Sequence, residues 1–392
     1  MLVKVEKLIY GGDGLSRAEG EVILTPFVLP NESIEIEKEP KRSGVARGRV
    51  KEIVDASADR AAPGCRYFGS CGGCHYQHMA YPAQLAAKRA ILAETLARVG
   101  KIKLPDEIPA ISAEPYGYRN RIQLHFEPGR LGYRQARSNK LVPVAECPIS
   151  SPKLNECIST LNQMVRDRRW LRFLQTAELF TDETSVQFNV METARPLAKH
   201  FFDWCAERIA GFNSGPLEYM GYRVSHGSFF QVNRFLISAL IDNVAGQSAG
   251  AMALDLYAGV GLFSIPLASR FAKVIAVESG TGAVRDLQFS AARSGVNVEA
   301  RTESADVFLA SFDAKPDLII ADPPRTGLGA PVITRMAALG SPEIRILSCD
   351  PATLARDASQ LLTLGYTMGQ TILIDLFPQT YHIETLATFL KV

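Results

Sequence analysis

From about residue 228 to its end, the chain repeats one unit: a short apolar run, a glycine turn, then a helical stretch. The runs are residues 252–256, 273–277, 318–321 and 344–348. Runs that are apolar along their length, rather than alternating, are strands covered on both faces. Strands that alternate with helices build a parallel, doubly wound α/β sheet. Such a sheet binds its ligand outside the carboxyl ends of its strands. The residues just after these four runs are therefore where chemistry is expected.

The rest of the chain reads differently. Residues 1–54 form short alternating runs broken at Gly11-Gly12-Asp13-Gly14 and Pro30-Asn31, the pattern of a small β-barrel. Its last strand carries Lys41, Arg42, Arg47, Arg49 and Lys51 with no acid before Glu52. Residues 84–99 form a strong helix pattern closed by Gly100. Residues 117–227 alternate in short runs and predict an α+β middle domain.

At 392 residues the chain has room for two or three domains. A hydrophobic fraction of 47% and a charged fraction of 21% are those of a soluble globular protein. No apolar run approaches the roughly 18 residues of a membrane span, so no membrane association is expected. The first residues alternate like a strand and carry acid, unlike a signal peptide, and the cytoplasm is the expected compartment. The net charge of +2 is unevenly spread: residues 60–140 hold 13 Lys/Arg against 5 Asp/Glu. With Tyr67, Tyr76, Tyr116, Tyr118 and Tyr133 interleaved, that stretch suits a polyanion with bases to stack, and equally a solvated face.

All four strand ends carry distinctive residues. Asp255-Leu256-Tyr257-Ala258-Gly259-Val260-Gly261 supplies glycines that let a ligand approach the backbone, but Ser264 stands where a dinucleotide fingerprint has its third glycine. Glu278, ending the next run, is placed to accept ribose hydroxyls, or is a plain helix N-terminal carboxylate. Asp322-Pro323-Pro324-Arg325 and Ser348-Cys349-Asp350-Pro351 end the last two. A lone cysteine is more often an inert packing residue. At a strand end beside a cofactor turn, Cys349 reads as a nucleophile, its thiolate helped by the helix opening at Ala352. Glu384, taken alone, reads as a surface carboxylate on the last strand.

Cys65, Cys71 and Cys74 lie within ten residues, with Gly72-Gly73 allowing a tight fold, and Cys147-Pro148 follows later. In a chain without an export signal this argues for a metal rather than disulfides. The spacing suits zinc, whereas a remote Cys-Pro is typical of iron–sulphur sites. Cys157 and Cys205 lack such company and are expected to be packing residues.

Taken together, these motifs, with Gln77-His78, Phe229-Phe230-Gln231-Val232-Asn233 and His382-Ile383-Glu384-Thr385, resemble the iron–sulphur RNA uracil-5 methyltransferases of the 23S ribosomal RNA 5-methyluridine type. The resemblance spans essentially the whole chain. It implies a TRAM RNA-binding barrel over residues 1–54, OB-like in form. It implies an iron–sulphur middle domain over 55–77 and 111–227, and a Rossmann-like class I methyltransferase domain over 78–110 and 228–392. It further implies a [4Fe-4S] cluster on Cys65, Cys71, Cys74 and Cys147, in place of zinc. S-adenosylmethionine would be held by Gln231, Tyr257, Glu278 and Asp322, with Cys349 as nucleophile and Glu384 as general base. Leu262 and Ser304 depart from residues found in some relatives. The implied partner is RNA, 23S ribosomal RNA ahead of transfer RNA, with no obligate protein partner. A non-catalytic RNA-binding assembly factor is the alternative.

Overall fold

The computed structural model describes residues 1–42 and 44–392, and the side chain of Arg42 lies outside what is described. Five strands, β1 (Leu2–Leu8), β2 (Asp13–Ala18), β3 (Glu21–Pro26), β4 (Ser33–Arg42) and β5 (Val45–Asp55), close into a barrel in the order β1-β2-β3-β5-β4. Alternation fills it: Val3, Val5, Ile23, Ile34, Ile36 and Ala46 point inward. Leu8 and Leu29 leave the barrel core and join the core of the C-terminal sheet, so the two are packed as one body. The basic run expected on one strand is split, with Lys41 and Arg42 ending β4 and Arg47, Arg49 and Lys51 on β5, and its described side chains are largely paired. Lys41 pairs with Glu21, Arg47 with Asp13, Arg49 with Glu37 and Lys51 with Glu35.

Helix α1 (Tyr81–Thr95) opens on Pro82 and ends in a π-helical turn, Leu96–Gly100. Gly100 is required by packing: a Cβ there would lie 2.7 Å from the carbonyl oxygen of Ala355. The buried face of α1 is Gln84, Lys88, Ile91 and Leu92, an i, i+4, i+7, i+8 stripe in which two members are polar. Lys88 and its partner Asp375 are both fully buried, with Nζ 2.6 Å from Oδ1. The Tyr81 hydroxyl donates to the other carboxylate oxygen at 2.8 Å. Strand β6 (Ala110–Ile111) follows.

The middle of the chain builds a six-stranded, mainly antiparallel sheet. Its strands are β7 (Arg121–Glu127), β8 (Arg130–Arg134), β9 (Leu141–Pro143), β10 (Leu174–Thr181), β11 (Val186–Thr193) and β12 (Phe212–Asn213), in the order β12-β11-β10-β7-β8-β9. Helices α2 (Pro152–Met164) and α3 (Lys199–Arg208) pack on it around Phe126, Trp170, Phe188 and Phe201. Cys157 and Cys205 are buried in this core. A hairpin, β13 (Leu217–Tyr219) with β14 (Tyr222–Val224), leads to α4 (Ile237–Val244).

The doubly wound sheet then assembles. In chain order come β15 (Gly250–Leu256), α5 (Ser264–Leu267), β16 (Phe271–Glu278), α6 (Thr281–Arg293), β17 (Glu299–Thr302) and α7 (Ala305–Ser311). They are followed by β18 (Leu318–Ala321), α8 (Ala330–Ala338), β19 (Glu343–Ser348), α9 (Pro351–Thr363), β20 (Tyr366–Ile374) and β21 (Glu384–Lys391). The order is β17-β16-β15-β18-β19-β21-β20-β6, parallel through β19 and antiparallel at β21. The sheet reverses its winding between β15 and β18, which makes that junction the ligand crevice of such folds. Among the described residues no helix is long and apolar enough to cross a membrane.

Replacing Lys88 by methionine keeps the volume and strands the Asp375 charge. Breaking a buried pair on one side costs about 3–5 kcal/mol, so equilibrium denaturation of Lys88→Met is expected to show a loss of that size. A change under 1 kcal/mol would mean that the pair holds nothing.

Candidate active site

The strand ends at the crevice are folded tightly. Tyr257, directly after β15, has φ +62°, a left-handed conformation that a bulky side chain adopts only under constraint. Gly261 has φ +89°, and a Cβ on it would lie 2.8 Å from Cγ of Leu287. The Glu278 carboxylate stitches two turns together, accepting the Gly259 amide at 3.0 Å and the Gly280 amide at 2.6 Å. Oε1 also accepts the Ser279 hydroxyl at 3.4 Å, and Oε2 keeps a lone pair. Tyr257 is half-buried, and burial first, then Asp306 and Asp357, push its phenol up.

Gln231 is buried in the segment between β14 and α4. Its carbonyl accepts from Asn120 at 3.1 Å. That segment is anchored by Asp286 of α6, which accepts from the Ser225 amide and from the Ser225 and Ser228 hydroxyls.

Cys349, Glu384, Asp322 and Arg325 converge. Cys349 follows β19, Glu384 opens β21 beside it, and Asp322 and Arg325 follow β18. The Cys349 thiol is pushed up to about 11, first by burial and then by the Glu384 and Asp322 charges, with Arg325 opposing. Burial, and then Asp322, hold the Glu384 carboxyl well above the usual carboxylate range. Asp322, half-buried, is raised to about 7 by desolvation and by Asp255. Asp255 is fully buried and also raised to about 7 by desolvation, with a smaller push from Glu278 and with hydrogen bonds from Ser264 opposing; its Oδ1 has no partner. Arg325 thus offsets the burial of Glu384 and Cys349, and at neutral pH the resting thiol is protonated.

The helix start at Ala352 does not serve the thiolate as expected. Asp350 caps α9, and its Oδ1 accepts both the Ala352 and Thr353 amides at 2.9 Å. Those donors are taken. The same helix holds the loop after β18: the Asp357 carboxylate accepts the Leu328 amide at 2.7 Å, and Arg356 donates to the Thr326 carbonyl at 2.9 Å.

Sequence reasoning missed Tyr10. This barrel residue donates its hydroxyl to the Cys349 carbonyl at 3.2 Å and stacks edge-on against Tyr381. A single tyrosine after a barrel strand carries no signal of this contact. Asp255 was visible as an acid inside an apolar run. Beside Tyr10 opens a cleft of about 1000 Å³ lined by Phe27, Arg47, Arg49, Arg137, Arg325 and Tyr381 from all three parts of the chain.

Cys65, Cys71, Cys74 and Cys147 all line one cavity of about 70 Å³, although Cys147 is remote in sequence. Burial pushes the Cys71 thiol up to about 11 and the Cys74 thiol up to about 12. The same cavity is lined by Gln77, Arg119 and Tyr133, and each has a buried polar atom without a partner: both amide atoms of Gln77, Nε of Arg119 and the hydroxyl of Tyr133. Among the described residues, no group of three or more His, Cys, Asp or Glu is arranged to hold a metal ion.

Comparison with known proteins agrees with this geometry. Residues 216–306 and 286–391 match the family described as tRNA (Uracil-5-)-methyltransferase. The 23S rRNA (uracil(1939)-C(5))-methyltransferase of Halomonas elongata is 31% identical, over 97% of this chain and 88% of that protein. An uncharacterised RNA methyltransferase of Thermotoga maritima is 30% identical over 99% and 98%. The structure of Pyrococcus abyssi tRNA (uracil-54, C5)-methyltransferase in complex with S-adenosyl-L-homocysteine superposes with a TM-score of 0.78 at 25% identity, covering both chains completely. A relative of this identity and coverage decides the matter: the chain belongs to the RNA uracil-5 methyltransferase family.

Proposed function

We propose that this protein transfers a methyl group from S-adenosylmethionine to carbon 5 of a uridine in RNA, with 23S ribosomal RNA as the substrate and the cytoplasm as its place of work. The observation that carries the reading is the convergence of a thiol, two acids and an arginine at adjacent strand ends beside the crevice. The labour divides by region. The barrel (1–54) and the middle domain (55–77 with 111–227) grip RNA, and residues 78–110 with 228–392 carry the chemistry.

Gln231, Tyr257, Glu278 and Asp322 would hold S-adenosylmethionine, which supplies an electrophilic methyl group on a cationic sulphur. The donor set fits a cation. Asp255, Asp322 and Glu384 are all raised by desolvation, and Arg325 opposes this at Glu384 and at Cys349. A positive ligand at 4 Å contributes about 4 kcal/mol at an effective dielectric of 20, enough to return such groups to their ionised forms.

Carbon 5 of uracil is a weak nucleophile. The Cys349 thiol gives up its proton to solvent, favoured by the same positive ligand. Adding the thiolate sulphur to carbon 6 breaks the 5,6 double bond and places an electron pair on carbon 5 and the adjacent carbonyl. Carbon 5 then takes the methyl group as the methyl–sulphur bond breaks, leaving a neutral thioether. Glu384, desolvated and therefore basic, removes the carbon 5 proton. The double bond re-forms as the carbon–sulphur bond breaks and the thiolate leaves. Because a stacked base cannot reach Cys349, the target must be unpaired or flipped. The cleft supports this, with Arg47, Arg137 and Arg325 for phosphate and Phe27 and Tyr381 as stacking faces.

Cys65, Cys71, Cys74 and Cys147 would hold a [4Fe-4S] cluster. A single zinc ion would gather four sulphurs at about 2.3 Å from one point. Four cysteines spaced around a cavity favour a larger centre, and the unpartnered donors of Gln77, Arg119 and Tyr133 are available to its sulphurs. The cluster supplies a cross-link between Cys147 and the Cys65–Cys74 segment, and no step of the methyl transfer runs through it.

Mass spectrometry of RNA from cells with and without the protein tests the function. A 5-methyluridine should vanish from 23S ribosomal RNA, whereas its loss from transfer RNA alone would reassign the substrate. Cys349→Ala should fall below a few per cent of wild-type turnover while still binding RNA. Glu384→Gln should accumulate a covalent RNA–protein species on denaturing gels, since methylation precedes proton removal. Normal product formation without that species would remove Glu384 from its role. Anaerobically purified protein should contain about four irons per chain. Replacing any of the four cysteines by serine should lose the iron and lower the unfolding midpoint, and stoichiometric zinc without iron would contradict the assignment.

A further inference from the structure

Glu384 has a buried carboxyl, yet among the described residues no hydrogen bond reaches it. No polar partner fixes the carboxyl, so its position depends on the backbone that carries it and on packing. Glu384 opens β21 opposite Ile374, the last residue of β20, and the intervening loop of residues 375–383 has no regular structure. Sheet pairing holds Glu384 from its C-terminal side, through Ile374 and through Ser348 opposite Thr385, and the loop holds it from the other.

The loop is held from outside at almost every step. Asp375 is bound by Lys88 and Tyr81, and the Phe377 carbonyl accepts from Lys88 at 3.0 Å. The Tyr118 hydroxyl donates to the Pro378 carbonyl at 3.0 Å. The densest point is Gln379, a buried residue with φ +67°. Its carbonyl accepts two main-chain amides, those of His75 at 2.8 Å and Tyr76 at 3.0 Å. Its own amide donates to Gln84 Oε1 at 3.0 Å, and its side-chain oxygen accepts from Gln84 Nε2 at 2.9 Å. Gln84 Nε2 also donates to the Tyr76 carbonyl at 3.1 Å and to Met79 at 2.9 Å. Gln84 thus ties the segment after Cys74 to the loop before Glu384. A glutamine held in a left-handed conformation persists only where its surroundings over-determine it. The ring of His75 lies 4.5 Å from that of Tyr381, and Tyr381 lies 4.4 Å from His382, carrying the same contact two residues from the base.

We infer that Gln84 and Gln379 are positioning residues for the proton-removal step, clamping the loop that aims Glu384 to the segment that begins at Cys74. This rests on Glu384 being the general base. It gives the four-cysteine site a part in catalysis without redox chemistry, because Cys74 is joined directly to His75 and Tyr76, the two donors to Gln379.

The test uses the full chain with S-adenosylmethionine and a 23S ribosomal RNA transcript. Gln84→Leu keeps the volume and removes every side-chain bond to Gln379. Gln379→Gly keeps the main-chain bonds, removes the side-chain arm and relaxes φ, so it retains the test if Gln84→Leu does not fold. In the folded variants kcat should fall at least tenfold, KM for S-adenosylmethionine should change less than twofold, and the covalent RNA–protein species should accumulate. A residue that only stabilises the fold would not move that last readout. Glu384→Gln is run alongside. If it accumulates the covalent species while the folded glutamine variants turn over normally without it, the clamp is overturned. If Glu384→Gln itself accumulates none, the general-base reading fails first and takes the clamp with it.

Discussion

Negative charge crowded into a poorly solvated crevice is the constraint around which this molecule is arranged. Asp255 shows its cost. Its carboxyl is fully buried and raised from 3.8 to about 7, and three pKa units correspond to about 4 kcal/mol. For an acid raised in the folded state, the folded form binds its proton more tightly. The penalty is absent below about pH 4, grows as pH climbs, and is complete above about pH 7. A site selected for stability alone would hold an apolar residue at the end of β15. Keeping the acid there, with Asp322 and Glu384 close by, makes sense where a cationic ligand completes the charge.

Groups that repel one another have to be held by something other than mutual attraction, and the ties come from every part of the chain. Helix α9 caps itself with Asp350 and pins the loop after β18 through Asp357. Helix α1 grips the loop before β21 through Lys88 and Gln84. The barrel reaches in with Tyr10 to hold the carbonyl of Cys349. Asp13, also from the barrel, is clasped by Arg47 of its own domain and Arg137 of the middle sheet. The barrel is therefore a structural part of the site. Removing it would take a hydrogen bond from the Cys349 carbonyl and leave the core without Leu8 and Leu29.

What could be read from the sequence follows from which interactions are local. The apolar runs at 252–256, 273–277, 318–321 and 344–348 became β15, β16, β18 and β19 because strand burial is written in consecutive residues. The barrel was legible from alternation, and the four cysteines from spacing together with a resemblance. Charge was misread because its partners lie across strands. The basic run of β5 looked free, yet β4 sets Glu35 and Glu37 beside Lys51 and Arg49, a pairing fixed by register. The Asp350 cap, by contrast, was available: an Asp before a Pro that opens a helix is an N-cap signal, and reading it would have shown the amides to be occupied.

The helix at residues 81–95 marks the limit of such reading. Its pattern predicted a helix correctly but could not announce that Gln84 and Lys88 lie on the buried face. Polar residues on a helix are ordinarily assigned to solvent. They are buried here because partners some 290 residues away, Gln379 and Asp375, satisfy them. Those partners sit in a loop with no periodicity of its own, before a glutamate that looks like any surface carboxylate. A loop that no local pattern can hold must be fixed by long-range polar bonds, and these leave the weakest trace in sequence. The proton-removal step proposed for Glu384 would thus rest on the contacts that sequence conceals best.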